Sequence, residues 1–168
     1  RPPEATADLA IVRLNPDGSR DSSFGVNGQV VRALSGGDDF GASVALQPDG
    51  KIVVGAMANN DFAVLRFNAD GSLDASFGNQ GQATTSVAVN DEAHRVIVQP
   101  DGKIVLTGFS DGNFVALRFN ADGNADTGFG AAGAAVVDFG GDDRAFDAVL
   151  QADGRLVLAG ASATNLAK

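Results

Sequence analysis

Four oxygen-bearing side chains, Asn15, Asp17, Ser19 and Asp21, stand at alternate positions of one short stretch of this chain. A hard cation such as calcium asks for that spacing, because it gathers several oxygen ligands from a single flexible loop. The set recurs as Asn68, Asp70, Ser72 and Asp74, and again as Asn120, Asp122, Asn124 and Asp126. Each set also has a plainer reading. Gly falls fourth here, whereas an EF-hand loop places it sixth and adds a bidentate Glu, and Asn-x-Asp-Gly is equally a turn closed by Asx hydrogen bonds. Calcium is the one cofactor these residues suggest, and the turn reading requires none.

Arg13, Arg66 and Arg118 each follow apolar residues near the end of a strand-like run, where a flanked charge needs a partner. Asp21, Asp74 and Asp126 are the local candidates, giving one structural ion pair per copy; a row of three arginines for anionic sugars is the competing reading. Acidic pairs at Asp38-Asp39, Asp91-Glu92 and Asp142-Asp143 read as solvated loop charges, or else as a binding rim. His94, the single histidine, has no Gly-x-Ser-x-Gly or His-Glu-x-x-His pattern beside it, so no catalytic residue is assigned. A glycosidase-type carboxylate pair leaves no sequence spacing by which to recognise it.

What positions these groups is a repeat. Asn15-Pro16-Asp17-Gly18 returns as Asn68-Ala69-Asp70-Gly71 and Asn120-Ala121-Asp122-Gly123, offset by 53 (68 − 15) and 52 (120 − 68). Phe24-Gly25, Phe77-Gly78 and Phe129-Gly130 keep those offsets, as do Gly28, Gly81 and Gly133. Gln47-Pro48-Asp49-Gly50-Lys51 recurs as Gln99-Pro100-Asp101-Gly102-Lys103 and Gln151-Ala152-Asp153-Gly154-Arg155. Ordered markers in three copies establish an internal repeat, with copies at about 8–60, 61–112 and 113–164 in one domain over 1–168. One residue is lost between the Phe-Gly and Gln-Pro-Asp-Gly markers after the first copy, which places a loop there.

Each copy holds four short apolar runs separated by turn signals, so the expected fold class is all-β, with three four-stranded antiparallel units. Pro-Asp-Gly between two runs is a hairpin: Pro presets a type I turn, Asp caps it, and Gly takes the left-handed position that begins a bulge. The run Phe62-Ala63-Val64-Leu65 is apolar on both faces, and such a strand must be covered on both sides, as a propeller blade is by its neighbours. A β-trefoil, also three units of four strands, is the alternative. Three blades do not close a ring. Asn165-Leu166-Ala167-Lys168 aligns with Asn113-Phe114-Val115-Ala116 and so begins a fourth copy. The expectation is a partial array with further blades in a longer parent chain, or a homodimer forming a six-bladed ring.

Phe-Ala-x-x-Arg-Phe-Asn-x-Asp-Gly-Ser-x-Asp, then Ser-Phe-Gly, then Gln-Pro-Asp-Gly-Lys-Ile-Val closely resembles the delta-60 repeat family of bacterial secreted and surface proteins. The resemblance runs from about Asp8 to Lys168. It implies a propeller-type fold and an extracellular or cell-surface location, and it carries no catalytic residues to transfer. Ala152 departs from the pattern where Pro is expected, Gly128 where Ser is expected, and the aromatic before the third strand appears as Ala42, His94 and Phe146.

Composition narrows the partners. A net charge of −9 repels phosphate backbones, no apolar run reaches the roughly 18 residues of a membrane span, and Arg1-Pro2-Pro3-Glu4 does not resemble the start of a secretory signal. No nucleic acid and no membrane insertion are expected. With no Cys, Trp or Tyr, a binding surface would be built from Phe, polar and acidic groups. The leading expectation is a non-enzymatic scaffold or adhesion module meeting a protein or glycan surface. A calcium- or carbohydrate-binding propeller ranks second, and a propeller hydrolase third.

Overall fold

The computed structural model describes residues 6–163. The strands among them are β1 (Leu9–Val12), β2 (Gln29–Arg32), β3 (Asp39–Leu46), β4 (Ile52–Ala58), β5 (Asp61–Phe67), β6 (Gln82–Thr85), β7 (Asp91–Val98), β8 (Ile104–Ser110), β9 (Asn113–Phe119), β10 (Ala134–Val137), β11 (Asp143–Leu150) and β12 (Leu156–Ser162). No helix occurs among the described residues, so none is long and apolar enough to cross a membrane. Every pairing between these strands is antiparallel and joins chain neighbours. The all-β expectation therefore holds, as an open array of blade-like meanders. The proposed fourth copy at Asn165–Lys168 lies outside the described residues.

The expected grouping of strands needs a correction. Sheets form as β3-β4-β5-β6 and β7-β8-β9-β10, with two-stranded sheets β1-β2 and β11-β12 at either end. Each complete sheet thus takes its first two strands from one sequence copy and its last two from the next. The join is a tight hairpin: Asn59 and Asn60 have φ of 50° and 67°, and Asp111 and Gly112 have 43° and 78°. Two successive positive-φ residues make the type I′ turn whose twist matches that of paired strands. Copy boundaries at 60/61 and 112/113 consequently fall in mid-sheet.

The Gln-Pro-Asp-Gly hairpin is built as the sequence requires. Gly50 donates to the Gln47 carbonyl at 2.9 Å with φ of 85°, and Asp49 accepts from the Lys51 N–H at 3.1 Å. The one-residue length difference also falls in a loop, between β2 and β3 as against β6 and β7.

Sheets stack face to face, and two apolar layers fill the spaces between them. On β5, Phe62 and Val64 pack toward the β7–β10 sheet, while Ala63, Leu65 and Phe67 pack toward β1-β2. Fully burying each large side chain contributes roughly 1.5–3 kcal/mol, which is why a strand between two blades reads apolar at every position. The trefoil alternative is not adopted, because these two-faced strands sit inside four-stranded sheets stacked broadside, an arrangement without a trefoil's hairpin barrel. β3, β7 and β11 lie against one another at one edge of the fan, and β2, β6 and β10 form its opposite edge.

Candidate functional site

The Asn-x-Asp-Gly turns close on themselves. Asn15 N–H donates to the Ser19 carbonyl at 2.8 Å, and Gly18 N–H to the Asn15 carbonyl at 2.9 Å. Asp17 Oδ1 accepts from the Ser19 N–H at 2.9 Å and from its hydroxyl at 2.6 Å, and Asp70 does the same with Ser72. In the third turn Asp122 takes the Asn124 N–H at 2.9 Å and its side-chain amide at 2.8 Å. Asn15 and Asn68 donate to Ser19 and Ser72, and Asn120 donates to the Ala125 carbonyl. These donors hold the carboxylates of Asp17 and Asp70 below the ordinary value of 3.8, led by the serine hydroxyls; in Asp122 the Asn124 N–H leads.

The fourth member of each oxygen set turns elsewhere. Asp21, Asp74 and Asp126 face the arginines, with Nε to Oδ2 distances of 2.8, 2.7 and 2.7 Å. The structure thus brings Asn15, Asp17 and Ser19 together and directs Asp21 to Arg13, and it repeats this division in the other two copies. Among the described residues, no group of three or more His, Asp or Glu side chains is placed to hold a metal ion.

The arginines do more than the local ion pair expected of them. Arg66 Nη1 reaches across to the Ala121 carbonyl of the following turn at 2.7 Å, and Arg13 Nη1 reaches the Ala69 carbonyl in the same way. Each guanidinium also lies over the Phe of the Phe-Gly marker, Arg13 at 4.8 Å from Phe24, Arg66 at 4.7 Å from Phe77 and Arg118 at 4.5 Å from Phe129. The backbone completes the joint: Gly25 N–H donates to the Asp70 carbonyl at 2.8 Å, and Gly78 N–H to the Asp122 carbonyl at 2.7 Å. The turn of one copy is therefore a plug, and the Arg, Phe and Gly of the preceding copy are its socket. Nothing in the sequence announced this, because a carbonyl acceptor has no residue identity.

A second cation joins the carboxylate in two copies, Lys51 to Asp74 at 3.1 Å and Lys103 to Asp126 at 2.8 Å. Asp74 is held far below the ordinary carboxylate range, first by the Ser76 hydroxyl and then by Lys51 and Arg66. Asp126 is lowered from 3.8 to about 2, chiefly by Lys103 and then by Arg118. A carboxyl depressed in the folded state stabilises the fold above its unfolded pKa of about 3.9, and that contribution disappears as pH falls toward the folded value. Stability should therefore drop between about pH 4 and pH 2. Asp126→Asn should flatten this acid limb in urea titrations across pH, and an unchanged limb would remove Asp126 from the account.

The acidic pairs require a correction. Asp39, Asp91 and Asp143 are buried at the first position of β3, β7 and β11, and are not solvated loop charges. Asp39 Oδ2 accepts from the Leu34 and Ser35 N–H groups at 2.6 and 3.1 Å, Asp91 from Val87 at 2.8 Å and from the Ser110 hydroxyl, and Asp143 from Phe139 at 2.7 Å. They cap the loops that enter each sheet, and a buried charge is tolerated when it is hydrogen-bonded in this way. Offsets of exactly one copy join these three; reading neighbouring acids as pairs concealed it. Asp38, Glu92 and Asp142 are exposed, as loop charges ordinarily are.

Ala42, His94 and Phe146 fall at the register shifts of β3, β7 and β11, within these strands and not before them. His94 packs against Phe109 and Phe146 with ring centroids 5.6 and 5.4 Å apart, and its Nε2 is 3.3 Å from Glu92 Oε1.

Over residues 5–24, 47–77 and 99–129 the sequence matches a family described as a domain of unknown function (DUF5122) beta-propeller. The two later segments run from the Gln-Pro-Asp-Gly hairpin to the socket phenylalanine, and the first ends on Phe24, so each includes a plug turn and a socket Arg and Phe. The chain is thus similar to a propeller-type repeat, as its sheets are. No match is found among curated proteins or among solved structures.

Proposed function

We propose that this propeller-type repeat is a non-enzymatic scaffold and contact module of a secreted or cell-surface bacterial protein. The observation that carries the reading is where its recurrent polar groups go. The recurrent Asn, Asp and Arg side chains are engaged in turns and ion pairs in all three copies, and Arg13, Arg66, Lys51 and Lys103 also join one copy to the next, so the signature of the repeat is explained by assembly of the stack. The surface location and the finer kinship with delta-60 repeats rest on the motif resemblance alone.

The exposed Asp17, Asp70 and Asp122 support a second reading, in which the turns take calcium or a glycan. A ligand bound only by the folded state raises stability in proportion to RT ln(1 + [L]/Kd), about 2.7 kcal/mol at one hundred times Kd. Thermal unfolding in calcium and in chelator, together with a glycan array, separates the two. The scaffold reading expects superimposable melts and a blank array. A melt that climbs with calcium overturns it in favour of a metal-binding module.

A further inference from the structure

The edge of the fan formed by β3, β7 and β11 carries one niche twice, and the two are filled differently. Phe40 and Met57 face each other across β3 and β4, and 52 residues further on (92 − 40 and 109 − 57) Glu92 and Phe109 hold the same register across β7 and β8. The bulged strand of the following sheet meets each pair, bringing Glu92 and His94 to the first niche and Arg144 and Phe146 to the second. The first niche lies between the two complete sheets.

The second niche is closed by the chain itself. The Arg144 guanidinium lies over the Phe109 ring at 4.8 Å from its centroid, and Asp142 pairs with it at 3.1 Å. His94 stacks on the same ring at 5.6 Å, with Phe146 edge-on to it at 5.4 Å. Ring, carboxylate and cation are all present, and a planar cation on a ring face beside a carboxylate satisfies both attractions at once.

The first niche has the ring and the carboxylate but no cation. Glu92 stands where Arg144 stands in the second, and Ala42 where His94 stands, which leaves an open cleft of about 410 Å³ whose walls include Phe40, Ala42 and Met57 on one side and Glu92 and His94 on the other. Phe40 is 47% exposed. Among the described residues no Lys or Arg pairs with Glu92; its neighbour is His94, whose Nε2 lies 3.3 Å away and makes no hydrogen bond.

We propose that this cleft receives an arginine side chain presented by a partner protein. The guanidinium lies on the Phe40 ring and pairs with Glu92, while the methylene stem packs along Met57, a side chain adaptable enough to follow it. The chain supplies the template, since it closes the equivalent niche one sheet on with its own Arg144. The net charge of −9 favours the approach of such a partner. This assignment rests on the contact-module reading and gives it a partner chemistry.

Met57 is the single methionine and His94 the single histidine, so each wall of the cleft has its own NMR signal, the methyl of one and the imidazole of the other. Titrating N-acetylarginine amide into the full chain should move both signals along one saturable curve. N-acetylcitrulline amide, of nearly the same shape without the charge, should leave them in place. Glu92→Gln should weaken the arginine probe about tenfold and Phe40→Ala about threefold, the scales of an ionised hydrogen bond and of an exposed cation–π contact. Both positions are exposed, circular dichroism checks that the variants fold, and the citrulline comparison needs no variant. Absence of saturable shifts, equal shifts with citrulline, or unchanged binding by Glu92→Gln overturns the proposal. Any of these leaves the scaffold reading standing, because that reading is judged separately by the calcium melts and the glycan array.

Discussion

Replacing Arg66 by alanine is expected to destabilise the fold by about 3 kcal/mol, measured by urea denaturation. Arg66 is 8% exposed and simultaneously satisfies Asp74, the Ala121 carbonyl and the face of Phe77. Its removal leaves the buried Asp74 carboxylate with one cation fewer and the Ala121 carbonyl without its donor, and a buried charge costs most when a partner is deleted. The value sits at the low end for a broken buried pair because Lys51 remains with Asp74. Arg66→Lys should recover little, since an ammonium lacks the fork that serves acid and carbonyl together. Arg13→Ala removes the same contacts at the exposed end of the stack and should cost clearly less. Equal costs for Arg13 and Arg66 would show that burial in the joint does not set its strength.

Gly123→Ala should cost about as much, by a different route. Its φ is +90°, where a side chain is strained by about 1–2 kcal/mol. A Cβ there would stand 2.7 Å from the Gly78 nitrogen and 3.0 Å from its Cα. Those neighbours are backbone, so no rotamer change relieves them and the two sheets must part, adding about 1–3 kcal/mol. Gly18 has nearly the same φ, +85°, yet a Cβ there meets nothing within 4 Å. Gly18→Ala should therefore show the backbone penalty alone. Matching denaturation midpoints for the two variants would mean that the plug is not tightly seated in its socket.

Much of this architecture is legible in the residues. The hairpin chemistry of Pro48-Asp49-Gly50, the two-faced run at Phe62–Leu65 and the pairing of Arg66 with Asp74 all follow from local rules, and the chain obeys them. The grouping of strands into sheets was not legible from the markers, because a repeat has a period but no intrinsic origin. Asn59-Asn60 and Asp111-Gly112 carried the I′ turn signal that would have fixed it, and both lay where the copies had been divided. The oxygen sets at Asn15–Asp21 and its equivalents were visible as positions but not as partnerships: spacing cannot say that Asp21 turns to a guanidinium while Asp17 folds back on Ser19. The burial of Asp39, Asp91 and Asp143 was hidden for a similar reason. Acidic residues are ordinarily solvated, and only the loop N–H groups that meet these three make an exception of them.

The mismatch between copy and sheet bears on how such a chain can grow and shrink. Excising residues 61–112 would splice β4 directly to β9 through the Asn59-Asn60 turn, leaving a four-stranded meander of β3, β4, β9 and β10. A cut of one period beginning anywhere else would do the same, since what is lost at one breakpoint is restored at the other. Recombination therefore need not respect any boundary of the folded unit. Arrays built this way can change length by unequal crossing-over with no misfolded intermediate generation, and selection is left to act only on how many blades a given partner or ring requires.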